Sequence, residues 1–136
     1  MAEGILDTST LILLGRIDET TDTLPREPLI TAITLAELSI GPLVAADEHD
    51  RAARQAHLQQ AEADFEPIPF DAAAARSFGQ VAASLRRAGR KPAARAYDAM
   101  IAAIATSRGL PIHTCNPADF DKIDDLEVVT VPHPDH

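Results

Sequence analysis

A chain of 136 residues has room for one hydrophobic core but not for two, and residues 1–136 read as one domain. Hydrophobic residues at 46% argue against a disordered tail, and Cys115, the single cysteine, excludes an internal disulfide and a cysteine-based zinc site. The formal net charge of -9 argues against nucleic acid as a partner of the surface at large, because phosphate contacts need Lys and Arg.

The first stretch, Ile5-Leu6-Asp7-Thr8-Ser9, reads as a short buried strand ending in a carboxylate, then a turn. Thr10 to Leu14 can pack as a helix, with Gly15 to end it. The apolar run Leu11 to Leu14 is too short for a signal or membrane segment. With the lone thiol, this fits a cytoplasmic protein. A polar connection, Arg16 to Pro28, leads to a second strand at Leu29-Ile30-Thr31. Thr34 is placed to cap the next helix, with Glu37 at capping-box spacing. Gly41-Pro42 kinks or breaks it.

Asp47 to Asp64 reads as an outer, alanine-rich helix. Ile68, between two prolines, is consistent with a short edge strand. Asp71 caps a helix over Ala72 to Ala88, whose apolar face runs through Ala74, Phe78, Val81 and Leu85. Gly89 to Pro92 makes a basic turn. Ala93 to Ser107 has the strongest helical periodicity, and Gly109 stops it. Strands follow at Pro111 to Cys115 and Val128 to Val131, separated by the Asn116-Pro117 turn. Strands alternating with helices argue for parallel pairing and right-handed crossovers. The expected fold is a three-layer α/β/α sandwich on a small parallel sheet of four to five strands.

Charge is unevenly spread. From Ala72 to Tyr97 there is no acid, and Arg76, Arg86, Arg87, Arg90, Lys91 and Arg95 make up half of the twelve basic residues. This span reads either as a solvated helix face or as a cationic rim beside an acidic pit.

Four acids stand alone in apolar or neutral stretches. Asp7 is the only charged residue between Glu3 and Arg16, and Glu37 the only one between Glu27 and Asp47. Asp98 is the only one between Arg95 and Arg108, and Asp119 follows a charge-free run from Gly109. Asp98 shares a helix face with Ile101, Ala102 and Ala105, so it points to the core side. Glu37 also reads as half of a capping box, and Asp119 as a turn initiator; Asp7 and Asp98 are explained by no cap. All four positions fall at the carboxyl edge of a parallel sheet, where ligands gather. Like charges and burial there would raise every carboxyl pKa, and a hard divalent cation would remove the conflict.

These pieces resemble the PIN-domain family, and within it the VapC toxins of bacterial toxin–antitoxin pairs. The resemblance is carried by Leu6-Asp7-Thr8-Ser9, by Ile33 to Leu38 with Gly41, by Arg95 to Ala103, and by Thr114 to Phe120. It implies an endoribonuclease dependent on Mg²⁺ or Mn²⁺ that cuts RNA, with a tRNA or rRNA loop as the expected target. By motif position, Asp7, Glu37, Asp98 and Asp119 would bind metal and carry catalysis. Thr8, Ser9, Thr114 and Asn116 would support water or phosphate, and Arg86, Arg87, Arg90, Lys91 and Arg95 would contact RNA. The implied partners are a VapB-type antitoxin and a second copy in a homodimer, with DNA reached only through the antitoxin and no membrane. His113 stands where the family usually has an apolar residue, and Cys115 where a basic one is common. From alternation His113 is read as packed off the site, and Cys115 as a small filler. His133 and His136 lie in a tail too short for a metal site.

Two other readings compete. One is an aspartate-based phosphoryl-transfer enzyme, which Ser9 disfavours because a second acid is expected there. The other is a non-catalytic PIN-like module that only binds a partner.

Overall fold

The computed structural model describes residues 3–18 and 20–135. Four strands form one parallel sheet: β1 (Glu3–Leu6), β2 (Glu27–Leu29), β3 (Ile112–Thr114) and β4 (Val128–Thr130), in the order β2-β1-β3-β4. The register pairs Ile5 with Leu29 and with Ile112, and Ile112 with Val128. These four side chains share one face. The helices are α1 (Thr8–Leu13), α2 (Ala32–Ile40), α3 (Glu48–Asp64), α4 (Ala72–Arg87) and α5 (Ala96–Arg108).

The main core lies between that face and α4 with α5. α5 has Ala99 and the run Ile101 to Ala105 buried, so most of its circumference is inside. Alanine-rich surfaces let α4 and α5 approach closely. The isoleucines at 101 and 104 each contribute about 1.5–3 kcal/mol of burial. The opposite face is covered by α1 and by the connection after it, where Ile17, Cys115 and Val131 cluster with Leu13 and Leu24. α2 and α3 close a third cluster around Ile30, Leu38 and Ala61. This is the three-layer sandwich, with four strands.

Several boundaries differ from the sequence reading. β2 lies at Glu27–Leu29, two residues earlier than expected, and Ile68 forms only a single bridge, to Thr31. The cap of α2 is Thr31, whose hydroxyl accepts from the Thr34 amide at 3.3 Å. Thr34 is therefore inside the helix and makes no capping box with Glu37. Thr31 wins because β2 ends early and the chain enters α2 there in extended conformation. α1 stops at Leu13, and Gly15 sits within a 3₁₀ turn, Leu14–Arg16. Another 3₁₀ turn, Gly41–Val44, follows α2 where Gly41-Pro42 was expected to break it. Pro92–Arg95 is also 3₁₀, so α5 begins at Ala96. Asp71 and Gly109 act as expected, Asp71 accepting from the Ala74 amide and Gly109 at φ 64°, while Asp47, read as the first helical residue, is instead the cap of α3 and accepts from the Asp50 amide.

Candidate active site

The sheet order reverses at β1. The chain first crosses to β2 on one side and later returns to β3 on the other. A crevice at the carboxyl ends of β1 and β3 follows from that topology. Asp7 is the residue after β1, and Asp119 ends the 3₁₀ turn Pro117–Asp119 after β3. Asp98 is in the first turn of α5, which runs back toward the start of β3, so its N-terminus lies at the same edge. Glu37 is the sixth residue of α2, mid-helix and not near its start as the sequence suggested.

Direct bonds tie these elements together. Thr8 donates to Glu37 Oε1 at 2.7 Å and shares a hydrogen bond with Thr34 at 2.9 Å. Ser9 donates to Asp7 Oδ2 at 3.2 Å, and Asn116 Nδ2 donates to Ser9 Oγ at 2.9 Å. Thr114 Oγ1 accepts from the Asn116 amide at 2.9 Å, which sets the turn after β3. Thr8 thus joins Glu37 and Thr34 in one network, and Ser9, Asn116 and Thr114 belong to a second one around Asp7.

Asp7 is only 2% exposed, and its Oδ1 is buried without a hydrogen-bond partner. Burial raises its pKa, against opposition from the hydroxyls of Thr10, Thr114 and Ser9. Burial also raises Glu37, with Thr8 opposing and the Asp7 charge reinforcing the shift. Asp98 is pushed up to about 6, first by burial and then by the charges of Asp119, Asp7 and Glu37, with Arg95 opposing. The other three acids therefore lie within electrostatic reach of Asp98, and Asp7 within reach of Glu37, as like charges in partly desolvated surroundings.

Such a set suits a hard cation. Every donor is oxygen, and a buried carboxylate oxygen lacking a partner is costly until a proton or a cation meets it. Among the described residues no three acidic, histidine or cysteine groups already close on one point as a metal cage. So open a set of acids is compatible with Mg²⁺, because that ion usually keeps several waters.

The pattern of the PIN domain matches residues 5–126. Ribonuclease VapC5 of Mycobacterium tuberculosis is 40% identical over 133 residues, covering 96% of this chain and 94% of the relative. The chain belongs to the PIN-domain family, as a member of the VapC type. Solved VapC structures agree with the fold. The crystal structure of VapBC-5 from Mycobacterium tuberculosis, a member of the VapBC family of toxin–antitoxin systems, matches at a TM-score of 0.79 and 36% identity, covering 96% of this chain and all of that one, 100%. DNA-bound VapBC from Salmonella typhimurium matches at 0.70 and 28%, covering 94% and 97%.

In this PIN domain the outlying candidates resolve by packing. His113 is 6% exposed, its Nδ1 lies 2.6 Å from the Thr23 carbonyl, and its ring sits against Gly4. It faces away from the acids, as alternation suggested. Cys115 is buried, and burial pushes its thiol pKa up, the opposite of an activated nucleophile. His133 accepts from the Asp135 amide, and His136 lies outside the described residues. Among the described residues no helix is long and apolar enough to cross a membrane.

Two groups were missed by sequence. Thr10 is fully buried, faces Asp7, and accepts from the Cys115 amide at 2.9 Å; Thr34 joins the Thr8–Glu37 pair. Their one signal was a hydroxyl at helical spacing from an isolated acid inside an apolar helix. The cationic rim also differs from a free surface. Arg87 is paired with Asp124, Arg90 bonds the Ala118 carbonyl, and Arg95 is paired with Asp119.

Proposed function

We propose that this chain is the toxin of a toxin–antitoxin pair, a cytoplasmic endoribonuclease that uses Mg²⁺ or Mn²⁺ and is silenced by a VapB-type antitoxin. The observation that carries the reading is that Asp119, Asp7 and Glu37, from three other elements, all act by their charge on Asp98. The kinship with ribonucleases of the VapC type supports the reaction class, and kinship with VapBC complexes supports the antitoxin.

Asp7, Glu37, Asp98 and Asp119 would hold the cation. A divalent cation bound there supplies neutralising charge and a more acidic water for cleavage of a phosphodiester. The chain's own residues do the rest. Asn116 and Ser9 fix the Asp7 carboxylate through one continuous chain of hydrogen bonds. Thr8 holds Glu37 in one orientation, and Thr34 in turn orients the Thr8 hydroxyl. Without a cation, burial and the charges of Asp119, Asp7 and Glu37 push Asp98 up to about 6, and a bound divalent cation would hold it ionised. Arg86 and Lys91 line a groove of about 610 Å³ with Phe78 and Pro92, where a single-stranded RNA backbone and a base could rest.

The deciding experiment compares wild type with Asp98→Asn. RNA 5′ ends are mapped after brief induction in cells, and purified proteins are assayed with and without Mg²⁺. Wild type should generate defined new ends and arrest growth, and the variant should do neither. Undiminished Mg²⁺-stimulated cleavage by a folded Asp98→Asn protein would remove these carboxylates from the mechanism.

A further inference from the structure

The basic span read from the sequence as an RNA rim is, for three of its arginines, engaged with the segment that delivers Asp119. Arg87 Nη2 lies 2.6 Å from Asp124 Oδ2. Arg90 Nη1 donates to the Ala118 carbonyl at 2.6 Å, and its Nη2 is 3.7 Å from Asp121. Arg95 Nη1 donates to Asp119 Oδ1 at 2.5 Å. All three arginines reach from α4 and the turns before α5 to one short stretch, residues 118–124.

That stretch needs support. Asp119 rides on a three-residue 3₁₀ turn closed by amide bonds back to Asn116 and, from Phe120, to Pro117. Such turns have poor hydrogen-bond geometry and hold their shape through tertiary anchors. Phe120, fully buried, anchors the following residue, but Asp119 itself is about a third exposed, at 32% of its side chain. Without Arg95 its rotamer would be open to solvent and repelled by Asp98. The guanidinium takes one carboxylate oxygen, Oδ1, so the other remains for a second cation. Arg95 is also the N-cap residue of α5, three positions before Asp98. Its backbone therefore starts the helix that carries Asp98 while its side chain holds Asp119.

We propose that Arg95, backed by Arg90 on the neighbouring carbonyl, is a positioning residue that holds Asp119 in its ligating orientation toward the divalent cation. This inference rests on the metal-dependent reading above. The alternative sign is physically clear. If the guanidinium were a competitor occupying the cation's place, removing it would tighten metal binding. Carboxylates that bind metals are themselves commonly hydrogen-bonded, and removing such a partner typically costs 10–100-fold in affinity or activity, about the scale expected here.

The test uses the full chain and Mn²⁺ alone, with free Mn²⁺ followed by electron paramagnetic resonance and folding checked by far-ultraviolet circular dichroism. Wild type should bind Mn²⁺, and Asp7→Asn should bind it far more weakly. Arg95→Gln should weaken binding about 10–100-fold. Arg95→Lys keeps the charge but not the fork and should recover part of the loss. Arg90→Gln should show a smaller loss. Amide exchange at Asp119 and Phe120 should quicken in Arg95→Gln and Arg90→Gln. A merely structural arginine would lower thermal stability and leave the Mn²⁺ affinity alone, which overturns the proposal. Equal or tighter Mn²⁺ binding by Arg95→Gln overturns it as well. If that variant fails to fold, unchanged affinity in Arg95→Lys does the same. Absence of Asp7-dependent Mn²⁺ binding in wild type instead sinks the metal reading itself, whatever Arg95 does.

Discussion

Asp98 is the residue whose titration reports most on this site. Its carboxyl keeps a proton to about pH 6 in the folded protein and loses it near 3.8 in an unfolded chain. Between those values the native state binds more protons, so its contribution to stability falls as pH rises. Asp7 and Glu37, also raised by burial, act in the same direction, and the acids titrate as a coupled group. In metal-free protein, Asp98→Asn should therefore gain thermal stability over wild type as pH rises from about 4 to 6.5. A saturating divalent ion should reverse the order at neutral pH, because it compensates the charge in wild type only. Differential scanning calorimetry across that window checks both statements. A gap between the two proteins that narrows with pH would contradict the direction of the shift. The isolation of Asp98 among apolar residues, and the rise that burial and neighbouring like charges would cause, were legible in the sequence; that Arg95 opposes that rise was not.

At the scale of elements, β1 and β3 leave no room for a side chain at Gly4. A Cβ on Gly4 would lie 2.4 Å from the His113 ring, and the ring is pinned by its bond to the Thr23 carbonyl. Gly4→Ala should destabilise the protein by about 1–3 kcal/mol, the range for overpacked cores. His113→Ala in the same chain should relieve part of that, giving a non-additive double-mutant cycle in urea unfolding. Strict additivity would mean the two residues do not compete for the same space. The cap of α2 gives a second measurable quantity. Thr31→Ala should cost about 1 kcal/mol, seen as a lower urea midpoint at unchanged slope. Long helices with strong local signals, α3 and α4 with Asp47 and Asp71 and α5 with Gly109, were readable to within a few residues. The three-residue strands were not, because at that length sheet partners decide where pairing begins. Thr31 and Thr34 have the same intrinsic preference for a cap, and only the end of β2 selects between them.

For the whole molecule, the net charge of -9 and the local basic span pull in opposite directions. The structure divides the basic residues into two sets. Arg87, Arg90 and Arg95 are engaged with the 118–124 segment, while Arg86 and Lys91 line the groove beside Phe78, which Arg90 also borders. RNA binding should accordingly depend on salt through the second set. Replacing both Arg86 and Lys91 with Gln should reduce the slope of log K against log salt by about 1 for each phosphate that is no longer neutralised. Arg87→Gln should leave that slope unchanged and lower stability modestly, as expected of an exposed pair. Fluorescence anisotropy with a single-stranded RNA over a salt series separates the two sets.

The primary structure by itself determined the alternation of strands and helices, the caps at Asp71 and Gly109, and the four carboxylates too isolated to be ordinary surface charge. Those are local quantities: hydrophobic period, capping chemistry and charge spacing act over a few residues. The folded chain alone decided who partners whom. Thr8 meets Glu37 across 29 residues, Arg95 meets Asp119 across 24, and Asn116 meets Ser9 across 107. Pairings at such separations depend on the order of strands in the sheet and on how closely helices pack. No residue type along the chain encodes them one at a time.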